Sequence, residues 1–143
     1  MYFAHYYLET CRALGRIDAF FERLAPWFLM KEYGFRTTYE NADPHGNRSD
    51  CHAWGAHPLY HYYASLLGVR PAAPGFAEVT IAPQPGPLQQ LSATIVHPRG
   101  TIHAHVEQHD DGLHGRVTLP EGVRGVLQLG EQSVGFVGRI TFG

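Results

Sequence analysis

At Gly68–Val69 the hydrophobic period of the chain changes, and no single regular element can satisfy both sides of that change. Upstream, Ile17, Phe20, Phe21, Leu24 and Phe28 recur at the i, i+3, i+4, i+7 and i+11 positions of one helical stripe. Downstream, Arg70-Pro71-Ala72-Ala73-Pro74-Gly75 breaks any helix, and from Glu78 onward the period is two. Leu91, Ala93 and Ile95 alternate with Ser92 and Thr94, while Ile102, Ala104 and Val106 alternate with Thr101, His103, His105 and Glu107. The pattern predicts a helical part over residues 1–70 and an antiparallel β-sandwich over residues 71–143, an α+β chain of two small parts. Neither part carries enough apolar surface to close a core alone, so each needs the other or a partner.

Three helices are predicted in the first part. One begins near Met1 without an N-cap and stops at Gly15, which suggests a chain cut from something longer. A second spans Ile17 to Lys31 with a kink at Pro26. The third starts after Ser49-Asp50, with one of these as its cap, passes Pro58 with a kink, and stops at Gly68. In the second part Asp111-Gly112 is a type I′ hairpin signal. That turn would pair Val106 with Val117, Ala104 with Leu119, Glu107 with Arg116 and His109 with His114. Further strands are predicted at Val123–Leu129, Val134–Val137 and Arg139–Phe142.

Composition excludes several functions. Lys31 is the sole lysine, no basic run exists and the net charge is −2, a poor match to a phosphate backbone, so no nucleic-acid partner is expected. No apolar run reaches the length of about 18 residues that a membrane span needs, and no membrane partner is expected. The start of the chain lacks the basic and apolar regions of a signal peptide, which leaves the compartment open. Cys11 and Cys51 form no C-x-x-C motif and are expected to be buried free thiols.

The chemistry is concentrated between Thr38 and His57, a Pro/Gly-interrupted connector between helices carrying Glu40, Asp43, Arg48, Asp50, His52 and Trp54. Functional groups gather on loops that a scaffold positions. Glu40 is either a solvated loop acid or, beside aromatic rings, a carboxyl raised in pKa toward acid/base use. If Asp50 caps the third helix, His52 sits in its first turn and would stay neutral there, either as a histidine with no ligand or as one that holds a substrate hydroxyl or orients a water. His57 and His61 stand one helical turn apart and could share a metal. No third ligand is evident and H-E-x-x-H is missing, so neither a metal site nor any cofactor is expected. His103, His105, His109 and His114 fit a wet sheet face equally well.

These blocks resemble the C-terminal end of bacterial α-L-rhamnosidases of the six-hairpin glycosidase type. Gly34-Phe35-Arg36-Thr37-Thr38-Tyr39-Glu40 is similar to the family's Gly-x-Thr-Thr-x-Trp-Glu, with Tyr39 where tryptophan is usual. Ser49 to Leu59, Leu67 to Pro71, Pro74 to Phe76 and Ile81 to Pro83 continue the likeness in order. The loop from Glu40 to His52 is shorter than in many members. The resemblance implies the last helices of an (α/α)6 barrel followed by a C-terminal β-sandwich, acting on terminal α-L-rhamnose by inverting hydrolysis. It assigns the general base to Glu40 and sugar contact to His52, with L-rhamnosides as the carbohydrate partner; the aromatic ring of Trp54, two residues on, is expected to be a further substrate-binding residue. The family's general acid lies upstream of anything in these residues, so the chain alone is expected to be inactive or nearly so. A non-catalytic carbohydrate-binding or interaction module, using Trp54 and the sandwich, is the alternative. Self-association through exposed helix faces is a third expectation.

Overall fold

The computed structural model describes residues 3–41, 43, 45, 46 and 48–143. Met1 and Tyr2, at the start of the first predicted helix, and Ala42, Pro44 and Asn47 of the connector lie outside the described residues. The chain divides into two compact units, residues 1–62 and 63–143.

In the first unit, α1 (Ala4–Ala13) buries Ala4, Leu8 and Cys11 on one face. Gly15 takes φ +66°, and the N–H of Arg16 reaches back to the Cys11 carbonyl at 2.8 Å, which closes the helix. The predicted second helix is two helices, α2 (Ile17–Arg23) and α3 (Ala25–Glu32), joined at Leu24. Pro26 does not kink a continuous helix. It lies in the first turn of α3, where its missing N–H would have had no partner in any case. The N–H of Phe35 bonds to the Met30 carbonyl at 3.0 Å past Gly34, ending α3 as α1 ends.

The predicted third helix is likewise broken. A 3₁₀ turn (Ala53–Ala56) leads into the short α4 (His57–His61), and a π-helical turn (Tyr62–Leu66) comes after it. Neither Ser49 nor Asp50 caps it. His52, extended at φ −115° and ψ 111°, is the residue that precedes the 3₁₀ turn. Pro58 again falls in the first turn of α4, not mid-helix. Both cysteines are free, but only Cys11 is buried; Cys51 is exposed on the connector.

The second unit begins a few residues before the change of period, because the turn ahead of the first strand is bonded into it. Gln84 donates to the Leu66 carbonyl at 2.8 Å and Ala82 to the Gly68 carbonyl at 3.1 Å. Gly68 has φ +70°, and a Cβ there would lie 2.0 Å from the Ala82 oxygen, so glycine is required. One sheet has the order β1 (Val69–Pro71), β2 (Glu78–Ile81), β6 (Arg124–Leu129), β7 (Gln132–Val137). The other has the order β3 (Gln90–His97), β4 (Gly100–His109), β5 (Gly112–Thr118), β8 (Arg139–Phe142). Val79, Ile81 and Leu127 of the first sheet, and Leu91, Ile102, Ala104, Val106 and Val117 of the second, are buried. The sandwich is not wholly antiparallel, since β2 and β6 run parallel. Alternation alone is the same for either direction and cannot reveal this.

The β4–β5 hairpin differs from its predicted register by two residues. Val106 faces Gly115, Ala104 faces Val117, Glu107 faces His114 and His109 faces Gly112, around a turn at Asp110-Asp111. A slip of two leaves every side chain on its own face, so the buried set is unchanged. The distinction between the registers lies across the sheet. Gly115 pairs with Phe142, and a Cβ on Gly115 would meet the Phe142 ring at 2.7 Å. The same device recurs at Gly125, which pairs with Phe136 beneath its ring.

Candidate functional site

The connector of the first unit is folded as a two-stranded ladder. Thr38 accepts at its carbonyl from the N–H of His52 at 2.7 Å, and its hydroxyl donates to the His52 carbonyl at 2.9 Å. The N–H of Glu40 donates to the Ser49 carbonyl at 3.0 Å, and the Thr37 hydroxyl donates to the Asp50 carbonyl. These bonds bring the Thr-Thr-Tyr-Glu block alongside Ser49–His52, uniting residues that are a dozen positions apart. Asp43 accepts from the N–H of His45 at 2.9 Å, which tightens the turn between the two arms.

Gly55 locks the ladder to the 3₁₀ turn. Its N–H donates to the His52 carbonyl at 2.9 Å, and its carbonyl accepts from the Trp27 indole N–H at 2.6 Å. A Cβ on Gly55 would lie 2.9 Å from the Thr38 Cβ and 3.0 Å from the Tyr39 carbonyl oxygen. No larger residue fits without displacing the arm that carries Glu40. Between them, Tyr39 is fully buried, its ring edge-on to Phe35 at 4.8 Å. Burial raises the pKa of its phenol.

Glu40 has a partner that the sequence did not suggest. Arg48 grips both carboxylate oxygens, Nε donating to Oε2 at 3.0 Å and Nη2 to Oε1. The glutamate side chain is 17% exposed and the arginine 81%. Of the two readings of Glu40, neither the solvated acid nor the raised pKa describes it. The guanidinium hydrogen bond holds the carboxyl below its ordinary pKa, with a smaller contribution in the same direction from the charge of His52. The carboxylate is ionised and bound in a fork, a form suited to a proton acceptor and not to a proton donor.

His52 is half-buried at the start of the 3₁₀ turn, its backbone fully engaged with Thr38 and Gly55. Trp54 is 55% exposed and, with His5, Tyr6, Ala53, Ala56 and His57, lines a hollow of about 410 Å³. His5, from α1, was not singled out by the sequence, because nothing in local spacing links the start of α1 to α4.

In the sandwich, the histidine-rich face of β4 and β5 is occupied by its own hydrogen bonds. His103 bonds to the hydroxyls of Thr94 and Thr101, both at 3.1 Å. Glu107 bonds to His105 at 3.1 Å and to His109 at 3.3 Å, bonds that hold its carboxyl below its ordinary pKa. His97 is buried and accepts from the N–H of Arg99 while bonding the Phe76 carbonyl at 2.7 Å, which pins Phe76 at φ +60°.

Residues 68–138 match the family described as Bacterial alpha-L-rhamnosidase C-terminal domain. An alpha-L-rhamnosidase of Alteromonas sp. (strain LOR) is 30% identical over 127 residues, 78% of this chain and 14% of that protein. The GH78 family rhamnosidase of Bacillus sp. GL1 superposes with a TM-score of 0.82 at 29% identity, over 91% of this chain and 15% of its own. The alpha-L-rhamnosidase from Aspergillus terreus shares the fold, with a TM-score of 0.79 at 23% identity over 94% of this chain and 18% of its own. The chain thus spans less than a fifth of the length of each of these relatives. Among the described residues no helix is long and apolar enough to cross a membrane. By its motifs, its sandwich and these matches, the chain belongs with the α-L-rhamnosidases, as a C-terminal piece of that glycoside hydrolase family.

Proposed function

We propose that this chain forms one wall of a site that removes terminal α-L-rhamnose with inversion, and that Glu40 is its general base. In this reading residues 1–70 are the last helices of an (α/α)6 barrel and residues 71–143 the C-terminal sandwich. The observation that carries the proposal is the carboxylate of Glu40, held ionised by Arg48 on an arm that the ladder sets alongside the arm of His52. An ionised carboxylate accepts the proton of an attacking water. His52 and Trp54 contact the sugar, Trp54 through the ring it exposes over the hollow. Arg48 is not packed in place and yields the carboxylate to water when a rhamnoside enters.

Inversion requires a second carboxyl about 6.5–9.5 Å away to protonate the leaving oxygen. That acid is assigned to a segment outside this chain, consistent with relatives several times its length. The chain alone therefore leaves an aryl α-L-rhamnoside at its background rate of hydrolysis; clear turnover would refute the division of acid and base. The base is tested in a chimaera in which residues 34–57 replace the matching segment of a full-length α-L-rhamnosidase. There Glu40→Gln lowers kcat about 10²–10⁴-fold, and a chimaera indifferent to this change would overturn the assignment.

The exposed Trp54 ring also supports a second reading, a module that binds carbohydrate without cleaving it. L-rhamnose titration separates the two: such a module keeps its affinity in Glu40→Ala and loses it in Trp54→Ala.

A further inference from the structure

One ring nitrogen from each of His5, His57 and His61 lies within 4.8 Å of the others, in the first unit. We propose that these three imidazoles form a binding site for a divalent transition-metal ion, with Zn²⁺ the best fit. His57 and His61 stand at the two ends of the single turn of α4 and His5 comes from α1, so the set joins two helices far apart in the sequence of the unit. His5 Nδ1 lies 3.1 Å from His61 Nε2. Two ligands of a tetrahedral ion, each about 2.0–2.1 Å from the metal, stand about 3.3 Å apart, so this pair needs only a slight opening. The ring centroids of His57 lie 5.8 Å from His5 and 5.7 Å from His61, near enough for a rotation of side chains to complete the set.

The surroundings match what a histidine–metal site requires. His61 is fully buried and turns Nδ1 toward Glu9 Oε1 at 4.0 Å, leaving Nε2 toward His5. A carboxylate behind a ligating imidazole fixes its tautomer and strengthens it as a donor. Glu9 stands one turn from His5 on α1 and is itself held by Arg12 at 3.4 Å. Phe20 at 5.7 Å from His61 and Trp27 at 5.0 Å from His57 pack the rings from behind. In front, His5 and His57 line the hollow of about 410 Å³, which leaves room for a fourth ligand from solvent or solute. Three histidines with an open fourth position suit Zn²⁺, Co²⁺ or Ni²⁺ and not Mg²⁺ or Ca²⁺, which prefer oxygen.

The site opens on the hollow that Trp54 also lines, but it does not rest on the rhamnoside reading and is tested on the full chain without any sugar. Co²⁺ is titrated into the metal-free protein and followed by its visible tetrahedral bands, then displaced with Zn²⁺. One equivalent per chain is expected, with a rise in melting temperature of about 5 °C or more at saturating Zn²⁺. His5→Gln and His57→Gln each weaken Co²⁺ binding by more than about 100-fold, and Glu9→Gln by about 10–100-fold. His109→Gln, on the sandwich, leaves it unchanged. Because His61 is buried and its loss endangers folding, the partly exposed His5 and His57 carry the test, with far-UV circular dichroism confirming their fold. The proposal is overturned if the wild type takes up no Co²⁺, if both ligand variants bind as it does, or if His109→Gln abolishes binding equally.

Discussion

The two units treat their apolar surface differently. Among the described residues, ten large hydrophobic side chains are exposed in residues 3–62, against three in residues 63–143. The sandwich turns Leu91, Ile102, Val106, Val117, Val79 and Ile81 inward and leaves threonine, histidine and arginine outside. α1 buries Ala4, Leu8 and Cys11, α2 and α3 bury only Phe20 and Met30, and Phe3, Tyr6, Leu14, Phe28 and Leu59 are exposed. The sheets leave few large apolar side chains exposed; three short helices and a one-turn α4 leave open apolar faces that fit the proposed place of these helices in a larger ring. Static light scattering at rising concentration probes those faces, and a well-behaved monomer would weaken the idea that neighbours are missing.

The largest test of the contrast lies at the seam of the sandwich. Gly68→Ala combines a positive φ with a Cβ driven into the Ala82 carbonyl, and should cost about 3–5 kcal/mol in urea unfolding. Next comes a matched pair. Leu8 and Leu91 are both almost wholly buried, one in each unit. Leucine-to-alanine changes span about 2–5 kcal/mol according to how far the site collapses. Leu91→Ala should sit near the top of that range and Leu8→Ala near the bottom; equal losses would erase the distinction. Gly55→Ala, which pushes on Thr38 and Tyr39, should cost about 1–3 kcal/mol by overpacking and shift the carbon-13 resonance of the Glu40 carboxyl.

The smallest effect is electrostatic. Arg48→Ala should raise the pKa of Glu40 toward that of an ordinary glutamate, read from a carbon-13 titration of its carboxyl. A carboxyl held low in the folded chain stabilises above its unfolded pKa, and that contribution fades as pH falls through the folded value. In Arg48→Ala this acid-side dependence should shrink. An unchanged titration would mean that the pair does not persist in solution.

Legibility divided along the same line. Alternation identified β3, β4 and β5 and their buried faces, because each residue in a sheet reports its own side, but it missed β1 in the proline-rich stretch. It left register and direction undecided: Gly115 beneath Phe142 and β2 beside β6 are relations between distant positions. In the helical unit the stripe of Ile17, Phe20 and Leu24 was plain, but Pro26 and Pro58 start helices instead of bending them. The site residues were visible as a crowded connector, yet their electrostatics were not. Arg48 lies on the opposite arm of the ladder, and its grip reverses the shift that burial alone would give Glu40. His5 shows the same limit, since only tertiary packing sets it beside His57 and His61.

The parallel pairing of β2 with β6 has a kinetic consequence. Glu78 meets Arg124, 46 positions later, and β3, β4 and β5 all lie between them. Closing so long a loop must be offset by contacts that form only afterwards, which slows a chain of high contact order. During synthesis β2 waits as an open edge until most of the C-terminal half has emerged. Refolding of this part should therefore be a late, single-exponential event, and the interval before it is when the nascent protein is most prone to stick to its neighbours.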